Sequence, residues 1–340
     1  MEKTISPSHL YGAIDTDQGN DMKKMISALA MLAAVATAGN AQAFAYALSQ
    51  NNVTNLRIQN STGISFLSGA SNNSFANACL DGSNCVNRGG PGAKLSTPAL
   101  MSSGPAPIPY GNNMLHATAF ALGDAKMLSQ QLGGAPFTHA VNTAEAKLIA
   151  NGNAHAVAGN SSASALRSTF VVGATGGTLN FSFDADPVIR AWLSNGVLDS
   201  QAEGSLSVNF NIVNNSGKVV FNWAPDGIVS SGIQGGTETA DAFTLNTSLT
   251  ALPENPGRLD YDPAACPNIG RAPPLAGSVA RCFNASTNRL QAGIYTLNLS
   301  MTETVNLQLI QPIPEPDTLW LLGIGLGAVG LVRRQSKNAA

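Results

Sequence analysis

Cys79 and Cys85 lie six residues apart, and Cys266 and Cys282 sixteen apart, each pair in a stretch rich in Asn, Gly, Pro and Ala. In an exported chain an even cysteine count reads as disulfides, and local pairing, 79–85 and 266–282, is the simplest of three connectivities. Zinc is the rival, but neither pair has metal-ligand spacing and no histidine lies near either. His116, His139 and His155 stand isolated, without HExxH or HxH spacing. A serine hydrolase would show a G-x-S-x-G nucleophile turn; GNSSA at 159–163 comes nearest and lacks the final glycine. A glycosidase needs two carboxylates facing one cleft. Asp184, Asp186, Asp226, Glu238, Asp241, Asp260 and Asp262 are candidates, and Asp184-Ala-Asp186 or Asp260-Tyr-Asp262 could offer oxygens to Ca²⁺. No spacing brings any of them together and no EF-hand pattern is present, so no catalytic residue, cofactor or resident metal is expected.

The elements that must carry these residues repeat with period two. Tyr295, Leu297, Leu299, Met301, Val305, Leu307 and Leu309 share one parity, while Thr296, Asn298, Ser300, Thr302, Asn306 and Gln308 share the other. That is a strand with one buried and one wet face, bent near Glu303. Leu206, Val208, Phe210 and Ile212 alternate likewise, as do Leu179, Phe181 and Phe183, and Phe243, Leu245 and Leu249. Asn214-Asn215-Ser216-Gly217 reads as a hairpin turn into Val219-Val220-Phe221. The alanine-rich AEAKLIANGNAHAVAG invites a helix, but its small residues recur at even positions from 144 to 158, so a long or bulged strand with a small-residue face fits better. HATAFALGDAK repeats the pattern. Segments 86–113 and 252–282 read as long proline-broken loops, and 186–196 as a short helix or an edge strand. The expected fold class is all-β, an antiparallel β-sandwich or jelly-roll-like domain. Trp192 and Trp223 are expected in its core; with Tyr110 and Tyr261 they are the alternative stacking platforms for a sugar ring.

Only 11% of residues are charged and the net charge is −2, against roughly 25% charged in an average soluble protein. Asn, Ser, Thr, Gly and Ala take their place. Nucleic acid would need a basic patch, and no nucleic-acid partner is expected.

Both ends carry addresses. From Met22, Lys23 and Lys24 precede an apolar stretch from Met25 to Ala36, then Gly39-Asn40 and Ala41-Gln42-Ala43. This reads as a secretory signal peptide, a helix over 22–43 cut after Ala43, with the Sec machinery as export partner. Residues 1–21, with three aspartates, read as a mis-assigned extension and translation is expected to start at Met22. At the other end Pro314-Glu315-Pro316 leads into 14 uncharged residues, Leu319–Val332, and then Arg333-Arg334. That run makes only about 21 Å of helix, short for a bilayer core of roughly 30 Å. Its four glycines and the basic residues that follow nevertheless suit a short membrane span with a cytoplasmic stop. Gly325, Gly327 and Gly330 match G-x-G-x-x-G, but with no strand before them and no acidic residue about 20 positions on, a dinucleotide site is not read.

The order of triplet, apolar span and arginines resembles the PEP-CTERM sorting signal of exported bacterial proteins. The resemblance covers about residues 312–334 and implies recognition and removal of the tail by an exosortase, a membrane transpeptidase-like protease. It also implies a Gram-negative producer, with transient inner-membrane anchoring through 319–332 and a link to exopolysaccharide and biofilm. The organisation expected is therefore an extension (1–21), a signal peptide (22–43), an exported sandwich (44–311) and a sorting signal (312–340). The function expected is that of a non-catalytic cell-surface or extracellular-matrix protein associated with exopolysaccharide. A polysaccharide-modifying hydrolase and a self-assembling surface or adhesin subunit are the alternatives.

Overall fold

The computed structural model describes residues 43–311 apart from 68–72, 83, 92–93, 101–105, 111, 133–134, 161–167, 265 and 267–280. The segments read as an extension, as a signal peptide (up to residue 42, with Ala41) and as a sorting signal with a membrane span lie outside the described residues. Within them every regular element is a strand and every pairing antiparallel. In chain order the strands are β1 (Ala45–Asn60), β2 (Ile64–Phe66), β3 (Asn73–Leu80), β4 (Asn84–Pro91), β5 (Lys94–Leu100) and β6 (Phe120–Leu132). Next come β7 (Ala135–Leu148), β8 (Gly152–Asn160), β9 (Ser168–Val172), β10 (Leu179–Leu193), β11 (Gln201–Asn214) and β12 (Val219–Trp223). The last are β13 (Ile233–Gln234), β14 (Gly236–Asp241), β15 (Asn246–Ala251), β16 (Gly257–Tyr261), β17 (Phe283–Thr287) and β18 (Gly293–Leu309).

They form two sheets packed as a sandwich. The first runs β14-β17-β10-β1-β7-β6-β5, with β16 also on β10; the second runs β13-β12-β11-β18-β8-β3-β4, with β15 on β11 and β9 bridging β18 to β2. The hairpin read at 214–217 joins β11 to β12, closed by Asn214 Oδ1 accepting from the N–H groups of Ser216 and Lys218.

Four readings of the chain are corrected. The alanine-rich segment is two strands rather than one long one. β7 pairs β1 and β6 in the first sheet, while β8 pairs β18 and β3 in the second. Residues 149–151 turn the corner between the sheets and keep the parity, so Ala144 and Ala146 face Ala154 and Ala156 across the core. The 186–196 stretch is neither helix nor edge strand up to Leu193, because β10 runs through it beside β1. On its other side β17 takes residues 180–183 and β16 takes 189–193. Pro187, which has no N–H to give, falls in the gap between them. The presumed loop 86–113 contains β4 and β5, edge strands of the two sheets, where a proline such as Pro98 costs no ladder bond; 252–282 likewise contains β16. Finally, β18 does not bend at Glu303, which pairs with Leu206 and Ala158 in unbroken register and points inward.

The interior has two apolar parts. One is aromatic: Phe183 stacks on Phe283 at 4.6 Å and Phe210 on Trp223 at 4.8 Å, with Phe181 and Phe221 beside them. The other is built of alanines from β1, β7, β8, β10 and β11, whose small side chains let backbones approach. A Cβ on Gly204 would stand 2.7 Å from Ile189 Cγ2 and 3.1 Å from the Leu48 carbonyl. Ser49 Oγ reaches across to donate to the Ser205 carbonyl of the opposite sheet at 2.7 Å.

Near the Met301 position runs a buried polar layer. Ser74 Oγ donates to Asn160 Oδ1 (2.7 Å), Asn160 Nδ2 to Asn142 Oδ1 (2.9 Å), and Asn142 Nδ2 to the Met301 carbonyl (3.4 Å). Glu303 belongs to this layer and is fully buried. Asn142 lies near enough to favour its charged form slightly, but neither carboxyl oxygen completes a well-formed hydrogen bond. Burial therefore holds the Glu303 carboxyl well above the ordinary carboxylate range.

Candidate functional site

With Ala202, Leu307, Ala154 and Ala78 turned inward, strand alternation sends their neighbours outward from the second sheet. Glu203 of β11 pairs with Asn306 of β18, Asn306 with His155 of β8, His155 with Cys79 of β3, and Cys79 with Cys85 of β4. One rung along, Gln201, Gln308 and Asn153 form a second row. These rows line an open groove of about 410 Å³, within the range of small-ligand sites. One side is walled by the Asp81-Gly82 turn, whose residues both have positive φ (49° and 65°), and by the Cys79–Cys85 disulfide across β3 and β4. Asp81 Oδ1 accepts the Asn153 N–H at 3.0 Å and ties the turn to β8.

The side chains are joined in a directed relay. Glu203 Oε2 accepts from Gln201 Nε2 and from Asn306 Nδ2, both at 3.3 Å. Since a carboxylate only accepts, Asn306 must turn its nitrogen to Glu203 and its oxygen to His155. That oxygen lies 2.6 Å from His155 Nδ1, so Nδ1 carries a proton, and in the neutral imidazole Nε2 is left as an acceptor. The groove thus offers hydrogen-bonding amides, an imidazole and one carboxylate among its lining residues, set on an otherwise apolar wall.

The other candidate residues are dispersed. His116 sits in the segment 112–118 that crosses the outer face of the first sheet, with Nδ1 against the Thr118 hydroxyl (3.2 Å) and its ring edge-on to Phe120. The same segment is anchored by Glu145, which accepts from Asn113 N and Nδ2 and from Tyr46 Oη (2.7 Å), and by Lys147, which donates to the Met114 and His116 carbonyls. His139, half-buried in β7, has its pKa lowered first by desolvation and then by Lys126. Neither histidine meets His155 in the groove.

Asp184 is buried under Arg281, to which it is ion-paired, and also accepts from Asn55 Nδ2 and the Cys282 N–H. With the Cys266 and Cys282 sulfurs it is the one cluster of three potential metal ligands among the described residues, but those sulfurs are bonded to each other. Asp260 pairs with Arg258 (2.7 Å) and Arg190 (3.5 Å), and Asp262 with Arg190 (3.9 Å). Asp186 shares that face, its pKa raised by burial and then by Asp262. Glu238 accepts from Trp223 Nε1 and the Ser230 N–H, and Asp241 from the Asp226 and Gly227 N–H groups. Burial raises both carboxyls. With Asp226, whose Oδ1 accepts the Ile228 N–H at 3.0 Å, they brace the 224–235 turns rather than face a cleft.

Of the four proposed stacking rings, Trp223 is in the core as expected. Trp192 is not: its even parity in β10 puts it on the outer face, half-buried and edge-on to Phe44 at 4.8 Å. Tyr110 donates to the Ala125 carbonyl and Tyr261 to the Thr244 carbonyl. Both cysteine pairs form the expected disulfides. Sequence reasoning missed Glu203, Gln201 and Gln308 as a site; each could be placed on a wet face by parity, but their neighbours depend on strand order.

Residues 312–335 match the model of the PEP-CTERM protein-sorting motif, which takes in Pro314, Glu315, Pro316, Arg333 and Arg334. The chain thus carries the mark of an exported protein that an exosortase sorts and processes. Neither the comparison with curated proteins nor that with solved structures gives a match.

Proposed function

We propose that this exported, exosortase-sorted chain is a non-catalytic cell-surface or extracellular-matrix protein of a Gram-negative bacterium, associated with the exopolysaccharide of its biofilm. Export through Sec after cleavage behind Ala43, and release from the inner membrane by removal of the tail, would deliver the sandwich to that polymer. The observation that carries the reading is the open groove across β3, β8, β18 and β11, walled by amide, imidazole and carboxylate groups. Sugars are recognised by such neutral and charge-assisted hydrogen bonds to hydroxyl groups. Glycoside hydrolysis takes two facing carboxylates, and Glu203 stands without a second among the groove's lining residues, which favours binding over cleavage.

The test is retention of the oxidised, exported protein on its producer's own exopolysaccharide, with and without Ca²⁺. Retention that a Gln308→Ala, Gln201→Ala double variant weakens is the expected result. Shortening of the polymer would make the protein a hydrolase instead. No retention, together with concentration-dependent oligomers in the absence of glycan, would make it an assembling surface subunit.

A further inference from the structure

Resting on that reading, we infer that the groove selects glycans bearing free amines, with Glu203 as the anchor for a hexosamine ammonium group. The argument is the polarity of the relay. Glu203 takes both amide contacts on Oε2, which leaves Oε1 for a ligand. The orientation it imposes on Asn306 fixes the His155 tautomer and turns Nε2 into a second acceptor. Among the described residues no Lys or Arg lines the groove. A carboxylate and a net negative charge suit a donor-rich cation: an ammonium gives its N–H groups to Glu203, while His155 Nε2 and the flanking Gln308 and Asn153 amides take hydroxyls on either side. A uronate polymer would bring carboxylates against Glu203 without a compensating cation, which is repulsive. N-acetylation of the amine removes the charge and two of the donors, and adds bulk where the carboxylate sits.

The experiment compares the oxidised, exported protein's binding to a glucosamine hexamer, an N-acetylglucosamine hexamer and a galacturonate hexamer, beside retention on the native polymer. The expected order is glucosamine tighter than N-acetylglucosamine by about tenfold or more, since a charge-assisted contact is lost, with galacturonate unbound. Glu203→Gln should abolish that preference while the melting temperature holds. Gln308→Lys, at an exposed position, should weaken glucosamine binding and admit galacturonate, so the inference remains testable even if Glu203→Gln fails to fold. Equal or tighter binding of the N-acetylated hexamer, or a Gln308→Lys protein with unchanged order, overturns the inference. If the native polymer is still retained in that case, the glycan-associated function survives it; if no glycan is retained at all, both fall.

Discussion

Glu303→Gln removes a charge-capable group from the middle of the sandwich without changing its shape. Glu303 is fully buried, shares the interior with Asn142, Asn160 and Met301, and completes no well-formed hydrogen bond from either oxygen. Its carboxyl stays protonated in the folded protein at pH values where the unfolded chain, with an ordinary value near 4.5, has lost the proton. A carboxyl whose folded pKa is raised stabilises least at high pH: its full contribution is present below the unfolded value and drains away as pH rises toward the folded one. Between the unfolded and the folded value the loss is about 1.4 kcal/mol per pH unit. For a domain of this size each such unit corresponds to roughly 3 °C in melting temperature. Gln cannot titrate, so the variant and wild type should melt alike near pH 4 and diverge upward, the variant being the more stable at higher pH. Other carboxyls raised by burial, among them Glu145 and Asp241, are common to both proteins and cancel in the difference. Thermal unfolding of the oxidised proteins by circular dichroism from pH 4 to 8 measures it. Parallel curves at all pH values would show that Glu303 is ionised and compensated in the fold, and the reasoning from its missing partners would be refuted.

Arg281→Ala should destabilise by about 3–5 kcal/mol, because it leaves the Asp184 carboxylate buried without its partner; replacing both residues by apolar ones should recover most of that in denaturant titrations. Removing the 266–282 disulfide by Cys-to-Ala changes at both ends should cost about 3 kcal/mol by loop entropy, and removing 79–85, which closes a shorter loop, about 2 kcal/mol. Only the second should also weaken glycan retention, since Cys79 lines the groove. Phe183→Ala should cost about 3–5 kcal/mol through loss of its stacking on Phe283 and Phe210. In producer cells lacking the exosortase, mass spectrometry should find the tail with Arg333 and Arg334 still attached and the protein in the membrane fraction; a tail-bearing surface form in normal cells would contradict processing.

Most of the strand pattern was legible because period two survives wherever one face is dry and the other wet, as along 201–214 and 293–309. It misled where that contrast fails. The outward residues Phe120, Leu122 and Asp124 of β6 are as buried as its inward ones, because a crossing segment held by Tyr110, Asn113 and Lys147 covers them. Glu303 broke the apolar parity in the sequence and suggested a bend, whereas the fold accepts the polar side chain inside. The corner at 149–151 was invisible because moving from one sheet to the other leaves parity unchanged. The groove was illegible for a different reason: Glu203, His155 and Cys79 are separated by long stretches of chain, and no local signal reports which strands become neighbours. The sorting motif, by contrast, was read directly, because its triplet, span and arginines are contiguous.

β18 ends at Leu309, five residues before Pro314, yet it lies in the middle of the second sheet, paired with β11 over fourteen residues and with β8 over nine. Until that strand arrives, β11 and β8 have no common neighbour and the second sheet lacks its middle. Closure of the sandwich is therefore a late, long-range event that waits for nearly the whole domain to be present. The strand that completes the fold thus stands immediately ahead of the sorting motif.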